Sequence, residues 1–455
     1  PENYHASLLN SIISHFKLDT SGTGPRKDAA LWARADVLLT DAFAKMLVDI
    51  KLGRLPDDSI SIDKDSSFST DLVVDQLDFL LRGKSMRNII AQFEPKLAGY
   101  QELKTGIRKF LEHASFGKSL TQIPFPVKDS DDFRAKVFSR MKEELLVPDT
   151  VSFDNSTKQL TEIIKEYQRQ NGLTDDGKIG AQTAKRMNTS DDDRFLQLAI
   201  TMDRYKQLPD QMPDKYVWVN IPAYKLQLFE DNTVKFDSKV VVGKPLTRTP
   251  VLTSAISQMI TYPQWTIPTS IIVKEVLPGL KKDPGYLARK GYSLIKSDGE
   301  EVDPYTVDWS KYSKGIPYKV VQGSGDANAL GVMKFNFNNK YSVYLHDTNQ
   351  RYYFSKAERA LSHGCVRVQA WRQMMDYILR NDSMQAIQNN NRNFLRTDSV
   401  NTWLVNKEKH TIAVKNRIPL FIRYFTCATE NDSLVFYDDI YNENDQLRKY
   451  YSASK

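Results

Sequence analysis

The hydrophobic period of this chain changes near Tyr216, and that change constrains the fold more than any other feature. Before it, apolar residues recur at helical spacing: Leu8, Leu9, Ile12, Ile13 and Phe16, then Leu38, Ala42, Met46 and Ile50 ahead of Gly53. A helix is expected over 72–81, stopped by Gly83, and the helical pattern continues over 89–110. Residues 133–146 and the face Leu160, Ile163, Ile164 and Tyr167 extend it. After the change, 216–221 and 224–228 alternate apolar and polar residues, Asp231-Asn232 signals a turn, and 240–243 reads as the next strand. Alternation resumes at 341–346 and again in 418–425 and 434–437, with a helix expected past Ala370. The expected class is therefore a multidomain α+β chain, helical first and β-rich second.

Two interruptions mark boundaries. Residues 121–130 are rich in Pro and Asp, which fits a domain junction. Between 265 and 323 the texture changes again. Pro263 and Pro268 argue against a central strand, a short helical stretch covers 271–280, and polar loop follows. Long mixed loops inside a β domain are often lids or binding loops. The helical start carries no chemical constellation and reads as scaffold. A length of 455 residues accommodates two to four domains.

Composition excludes several classes. No run of about 18 uncharged apolar residues is present, so no transmembrane helix is expected. The excess of 63 Lys and Arg over 56 Asp and Glu is diffuse. It suits an anionic partner or surface but lacks the clustering of a nucleic-acid binder. The opening Pro1-Glu2-Asn3-Tyr4 reads as a trimmed, mature segment. Only two cysteines occur, Cys365 and Cys427, which rules out a disulfide scaffold and a cysteine-ligated zinc site.

The densest chemistry lies in Tyr344-Leu345-His346-Asp347-Thr348 and Leu361-Ser362-His363-Gly364-Cys365-Val366-Arg367. A free thiol has a pKa of about 8.5, so a nucleophilic cysteine needs a base or nearby positive charge. Strand alternation sets Ser342, Tyr344 and His346 on one face and Tyr341, Val343 and Leu345 on the other. If the second face is core, His346 ends the strand on the open face, a position suited to a general base. Cys365 precedes a predicted helix, whose dipole would favour the thiolate. Gly364 permits a sharp turn, and the N–H groups of Gly364 and Cys365 are candidate oxyanion donors. Arg367 could grip a substrate carboxylate. Each residue also has a bland reading. A lone Cys is most often a small buried hydrophobe, which is the expectation for Cys427 on its strand.

His346, fifteen intervening residues and then Ser362-His363-Gly364-Cys365 resemble the motif of the L,D-transpeptidase family with its YkuD-type catalytic domain. Trp265, Asn328 and the surrounding segments Val241–Pro245, 283–286 and 438–441 look like the large, multidomain YcbB-like members. The run from Asn171 to Thr183 resembles small three-helix peptidoglycan-binding modules. The resemblance implies a helical scaffold over 1–128, a peptidoglycan-binding-like module over 129–190, and a catalytic domain over 191–455 with a capping subdomain at 267–322. It implies that Cys365 is the nucleophile and His346 the base, with the backbone carbonyl of Asp347 orienting the imidazole. Gly364 would serve the oxyanion, and Ser362, His363, Arg367, Tyr344, Trp265 and Asn328 would line the substrate site. Arg367 and Asp347 depart from the smaller members, which carry Asn and Gly there, and follow the larger ones.

The implied reaction is acyl transfer through a thioester. The donor is a peptidoglycan tetrapeptide stem, and the acceptor is the side-chain amine of a second stem. The product crosslinks two third-position residues. No metal and no organic cofactor is implied, acylation by a carbapenem is expected, and 129–190 could contact glycan. No nucleic acid is expected, and the implied location is periplasmic, in a bacterial cell envelope. Two other outcomes stay open: an L,D-carboxypeptidase that lets water resolve the same acyl-enzyme, and a non-catalytic wall-binding scaffold. Cys365 and Cys427 are expected not to be bridged.

Overall fold

The computed structural model describes residues 2–18, 28–56, 69–144, 146–148, 150–153, 157–171, 173–391 and 394–451. Gly172, part of the glycine-punctuated turn, lies outside them. The chain divides into two compact units, one built from Pro1–Met212 with Phe425–Lys455 and the other from Pro213–Tyr424. The β-rich unit is thus narrower than the expected 191–455. The helix Asp191–Tyr205 and the hairpin Cys427–Glu430 with Ser433–Phe436 belong to the helical unit.

In the helical unit the expected helices are Ala6–Leu18, Ala29–Lys51 and Thr70–Leu81. Gly53 and Gly83 follow the second and third, each at positive φ. The pattern over 89–110 is two helices, Met86–Phe93 and Ala98–His113, because Pro95 cannot continue the first. A separate core gathers Phe133, Val137, Met141, Leu160, Ile164, Tyr167 and Met187. It is the apolar face read from the sequence, closed by three short helices, Asp131–Glu143, Thr157–Gln170 and Ala181–Met187.

The β-rich unit holds strands β1 (Lys215–Asn220), β2 (Lys225–Glu230), β3 (Thr233–Gly243), β4 (Leu252–Thr261), β5 (Trp265–Thr266) and β6 (Tyr292–Ile295). It continues with β7 (Lys319–Gln322), β8 (Met333–Phe337), β9 (Leu345–His346), β10 (Ala360–Ser362), β11 (Val366–Val368) and β12 (Thr411–Arg423). Among the described residues, the main sheet runs β10-β3-β11-β9-β8-β4-β12-β1-β2, and β2 also pairs with β3. The ladder therefore closes into a ring of eight strands, with β10 attached outside on β3. Closure removes the free edges that an open sheet would expose.

Between β4 and β8 the chain leaves the main sheet. There β5, β6 and β7 form their own three-stranded sheet. It packs with the helical stretch Thr269–Lys282 around Ile272, Val276, Leu277, Leu280, Leu287, Leu294, Trp309 and Val320. This insertion has a hydrophobic core of its own. The middle of its helix, Ile272–Val276, is a π-helical turn.

Candidate active site

Three adjacent strands place the site. β9 and β11 are parallel, with Arg367 opposite His346, and β8 is antiparallel on the other side, with Lys334 opposite His346. One row across the sheet thus reads Lys334, His346, Arg367. The N–H of Val366 donates to the Tyr344 carbonyl at 3.1 Å, which sets Cys365 beside Tyr344 one step along the same face. The expected strand over 341–346 is shorter than the alternation implied. Ser342 adopts a left-handed backbone (φ 55°), so the ladder starts only at Leu345. His346 does not stand on an open face either, being only 4% exposed.

Cys365 keeps some exposed surface but is densely surrounded, and burial pushes its thiol pKa up. The Tyr344 N–H and hydroxyl, Lys334 and Arg367 pull it back. No helix begins at Cys365: strand β11 follows it, and the helix starts at Trp371. The stabilising charge comes from side chains across the sheet and not from a helix dipole. Burial and then the Arg367 charge push the His346 imidazole down to about 3, against the nearby carbonyls of Asp347 and Leu330. Its Nδ1 is buried and lacks a well-aligned hydrogen bond. At neutral pH the pair is accordingly thiol and neutral imidazole.

The turn carrying Cys365 is held by hydroxyls. Ser362 is buried; its Oγ donates to the Cys365 carbonyl at 2.6 Å and accepts from the Gly364 N–H at 3.1 Å. Thr249 Oγ donates to the Gly364 carbonyl at 2.8 Å, and Thr247 Oγ to the Ser362 carbonyl at 3.0 Å. Gly364 has φ 119°, where an L side chain is strained, and a Cβ there would meet the Arg248 carbonyl at 3.3 Å. The Gly364 N–H is therefore committed to Ser362 and is not an open oxyanion donor. The Cys365 N–H has no hydrogen bond among the described residues.

Other candidates divide. The Trp265 indole reaches the Tyr344 hydroxyl, which in turn reaches the Cys365 sulfur. His363 Nε2 meets Glu275 Oε1 at 2.5 Å, so its ring is tied to the π-helical turn of the insertion. Arg367 is not an open fork. Its Nη1 donates to Gln350 Oε1 at 2.9 Å, its plane covers the Tyr353 ring, and its Nε is buried and unpartnered. Asp347 directs its carboxylate away from the imidazole, accepting from the Val332 N–H at 3.0 Å and Arg351 Nη2 at 2.8 Å. Asn328 is 1% exposed, and both ends of its amide serve its own loop through Gly323, Gln322 and Leu330. Its amide thus shapes its own loop.

Four groups were missed in the sequence: Lys334, Glu275, and the pair Thr247 and Thr249. Lys334 had a signal, since Met333-Lys334-Phe335-Asn336-Phe337 alternates and puts Lys334 off the core. The others act through long-range contacts with no local mark. Both cysteines are free. Among the described residues no His, Cys, Asp and Glu cluster suits a metal, and no helix is long and apolar enough to cross a membrane.

Comparison with known proteins agrees with the layout. Residues 214–387 match the family model for the L,D-transpeptidase catalytic domain (YkuD), 1–106 match a "Scaffold domain", and 146–187 match a "Putative peptidoglycan binding domain". A curated Haemophilus influenzae protein named "Putative L,D-transpeptidase" is 35% identical over 250 residues, 55% of this chain and 48% of its own length. The chain thus spans about half the length of the curated relative it matches. A solved L,D-transpeptidase from Mycobacterium smegmatis is 12% identical, covering 46% of this chain and 58% of its own, with a TM-score of 0.22. One from Stackebrandtia nassauensis is 13% identical, covering 67% of this chain and 97% of its own, with a TM-score of 0.21. Residues 214–387 are thus similar to the L,D-transpeptidase catalytic domain of the YkuD type.

Proposed function

We propose that this protein is a cysteine L,D-transpeptidase that crosslinks peptidoglycan stems outside the cytoplasm. The observation that supports this most is the single sheet face bearing Cys365, Tyr344, His346, Lys334 and Arg367. Cys365 attacks the carbonyl of the third residue of a tetrapeptide donor. The S–C bond forms as the thiol proton passes to His346. Burial holds the His346 imidazole well below its ordinary pKa, and the charge developing on the oxyanion would offset the imidazolium as it takes that proton. The Cys365 N–H, the Tyr344 hydroxyl and the Arg367 guanidinium are the groups suited to that oxyanion. The C–N bond then breaks, and His346 returns the proton to the departing D-alanine amine. The side-chain amine of a second stem attacks the thioester, loses its proton through His346, and restores the thiol.

The insertion over 267–322 caps this site in the proposal. Its supports are Trp265 reaching Tyr344 and Glu275 meeting His363. A cap that excludes water would let the amine rather than water resolve the thioester. The three-helix module would contact glycan or stem.

The deciding experiment is intact mass after exposure to a carbapenem. An adduct on the wild type that is lost in Cys365→Ala supports the nucleophile; an adduct that persists removes it. Products from a stem able to act as both donor and acceptor then separate crosslinking from release of a tripeptide. Removing the cap should shift products toward hydrolysis, and an unchanged ratio would sink the water-exclusion role.

A further inference from the structure

Lys334 stands out among the charged groups of this face because, among the described residues, it has neither a counter-charge nor a hydrogen-bond partner. It donates no hydrogen bond and meets no carboxylate within ion-pair distance among the described residues. Its Nζ lies 3.9 Å from the centroid of the Tyr344 ring. It shares the His346 row through the β8–β9 register and interacts electrostatically with the Cys365 sulfur. An ammonium half-removed from water without an anion is costly. Arg367, on the other flank of His346, is held by Gln350 and Tyr353. The two cations are therefore unequal: one is fixed by the protein and one is left for a ligand.

We propose that Lys334 binds the carboxylate of the leaving D-amino acid, and so restricts the donor to stems that end one residue beyond the scissile bond. This rests on the acyl-transfer reading above. Covalent geometry supplies the distance argument. In a donor whose last residue is the leaving group, the terminal carboxylate carbon follows the scissile carbonyl carbon by three bonds, within roughly 4 Å. A cation close enough to act on the Cys365 sulfur is at that depth once the carbonyl sits on the sulfur. The Tyr344 ring under the ammonium keeps it from swinging away and adds a cation–π contribution. A stem with a further residue would put an uncharged amide where the carboxylate belongs, leaving the ammonium unpaired.

The first test uses no stem at all. Alkylation of Cys365 by iodoacetate is compared with alkylation by iodoacetamide, each rate divided by that for glutathione. The two reagents differ in the carboxylate, so their ratio cancels any change in thiol reactivity. Lys334→Met should lower the ratio about tenfold and Lys334→Arg should restore most of it, with melting temperature measured on both variants. A ratio unchanged in Lys334→Met overturns the proposal. The second test uses tetrapeptide donors whose terminal carboxylate is either free or amidated. Lys334→Met should lose at least tenfold in kcat/KM on the donor with a free terminus and little on the donor with an amidated terminus. Equal losses on both would overturn assignment to the leaving group. If the wild type processes no stem, the transpeptidase reading fails, while the haloacetate ratio still decides whether Lys334 binds a carboxylate.

Discussion

The two thiols of this chain are raised by the same force and separated by their neighbours. Burial pushes Cys427 up to about 12 and also raises Cys365. Around Cys427 stand Leu103 and Leu198, its sulfur has a long contact to the Gln197 carbonyl at 3.7 Å, and the Thr201 hydroxyl and the Arg204 charge favour the thiolate without offsetting burial. Around Cys365 stand a phenol, two cations and a backbone N–H that all favour the thiolate. Depth alone therefore does not separate the two cysteines; Cys365 differs in sharing its sheet face with the His346 imidazole.

The largest expected effect tests that contrast directly. Cys365→Ala should abolish both acyl transfer and the carbapenem adduct, whereas Cys427→Ala should leave kcat within about twofold. The cost of the latter should appear in stability, at about 1–2 kcal/mol for lost packing, read by denaturant unfolding. Activity surviving in Cys365→Ala would break the comparison. Next in size, His346→Gln should lower kcat by about 10²–10⁴, the usual range for a lost general base. A smaller loss would mean that the substrate supplies the proton acceptor.

Ser362→Ala removes the hydroxyl that bridges Gly364 and Cys365. It should cost about 1–3 kcal/mol of stability and reduce turnover more than Tm alone explains, since the turn that aims Cys365 loosens. A further expectation concerns pH dependence. His346 has its folded pKa pushed down to about 3 from an ordinary 6.5, so the unfolded chain binds the extra proton between those values. Stability from this group is complete above about pH 6.5 and falls as the pH drops toward 3. His346→Gln should flatten that part of the acid slope, seen in chemical unfolding between pH 7 and 4.

Legibility followed the range of the physics involved. The helices and the change of period were readable because amphipathic faces are local, as Leu160, Ile164 and Tyr167 illustrate. Cys365 and His346 could be named from their spacing and motif. The strand carrying His346 was overread because nothing local in Ser342 announces its left-handed backbone. Asn328 differs: nothing in a polar loop residue announces that the carbonyls of Gln322 and Gly323 close on it. Lys334, Glu275, Thr247 and Thr249 matter through partners 10 to 115 positions away in sequence, such as Tyr344 for Lys334 and Ser362 for Thr247. Neither pattern nor spacing encodes those pairings.

The hydroxyl clamp on the Cys365 turn bears on whether this reactive segment can be transplanted. β10 and β11 supply only three residues each, so little of the turn's shape comes from the ladder. Half of the hydroxyl contacts that hold it come from Thr247 and Thr249, which lie on a different stretch of chain. Moving Ser362–Cys365 alone onto a foreign barrel would carry the proposed nucleophile without the mould that gives it a direction. A working graft, or a recombination breakpoint between related chains, has to keep residues 243–249 and 360–368 from the same parent.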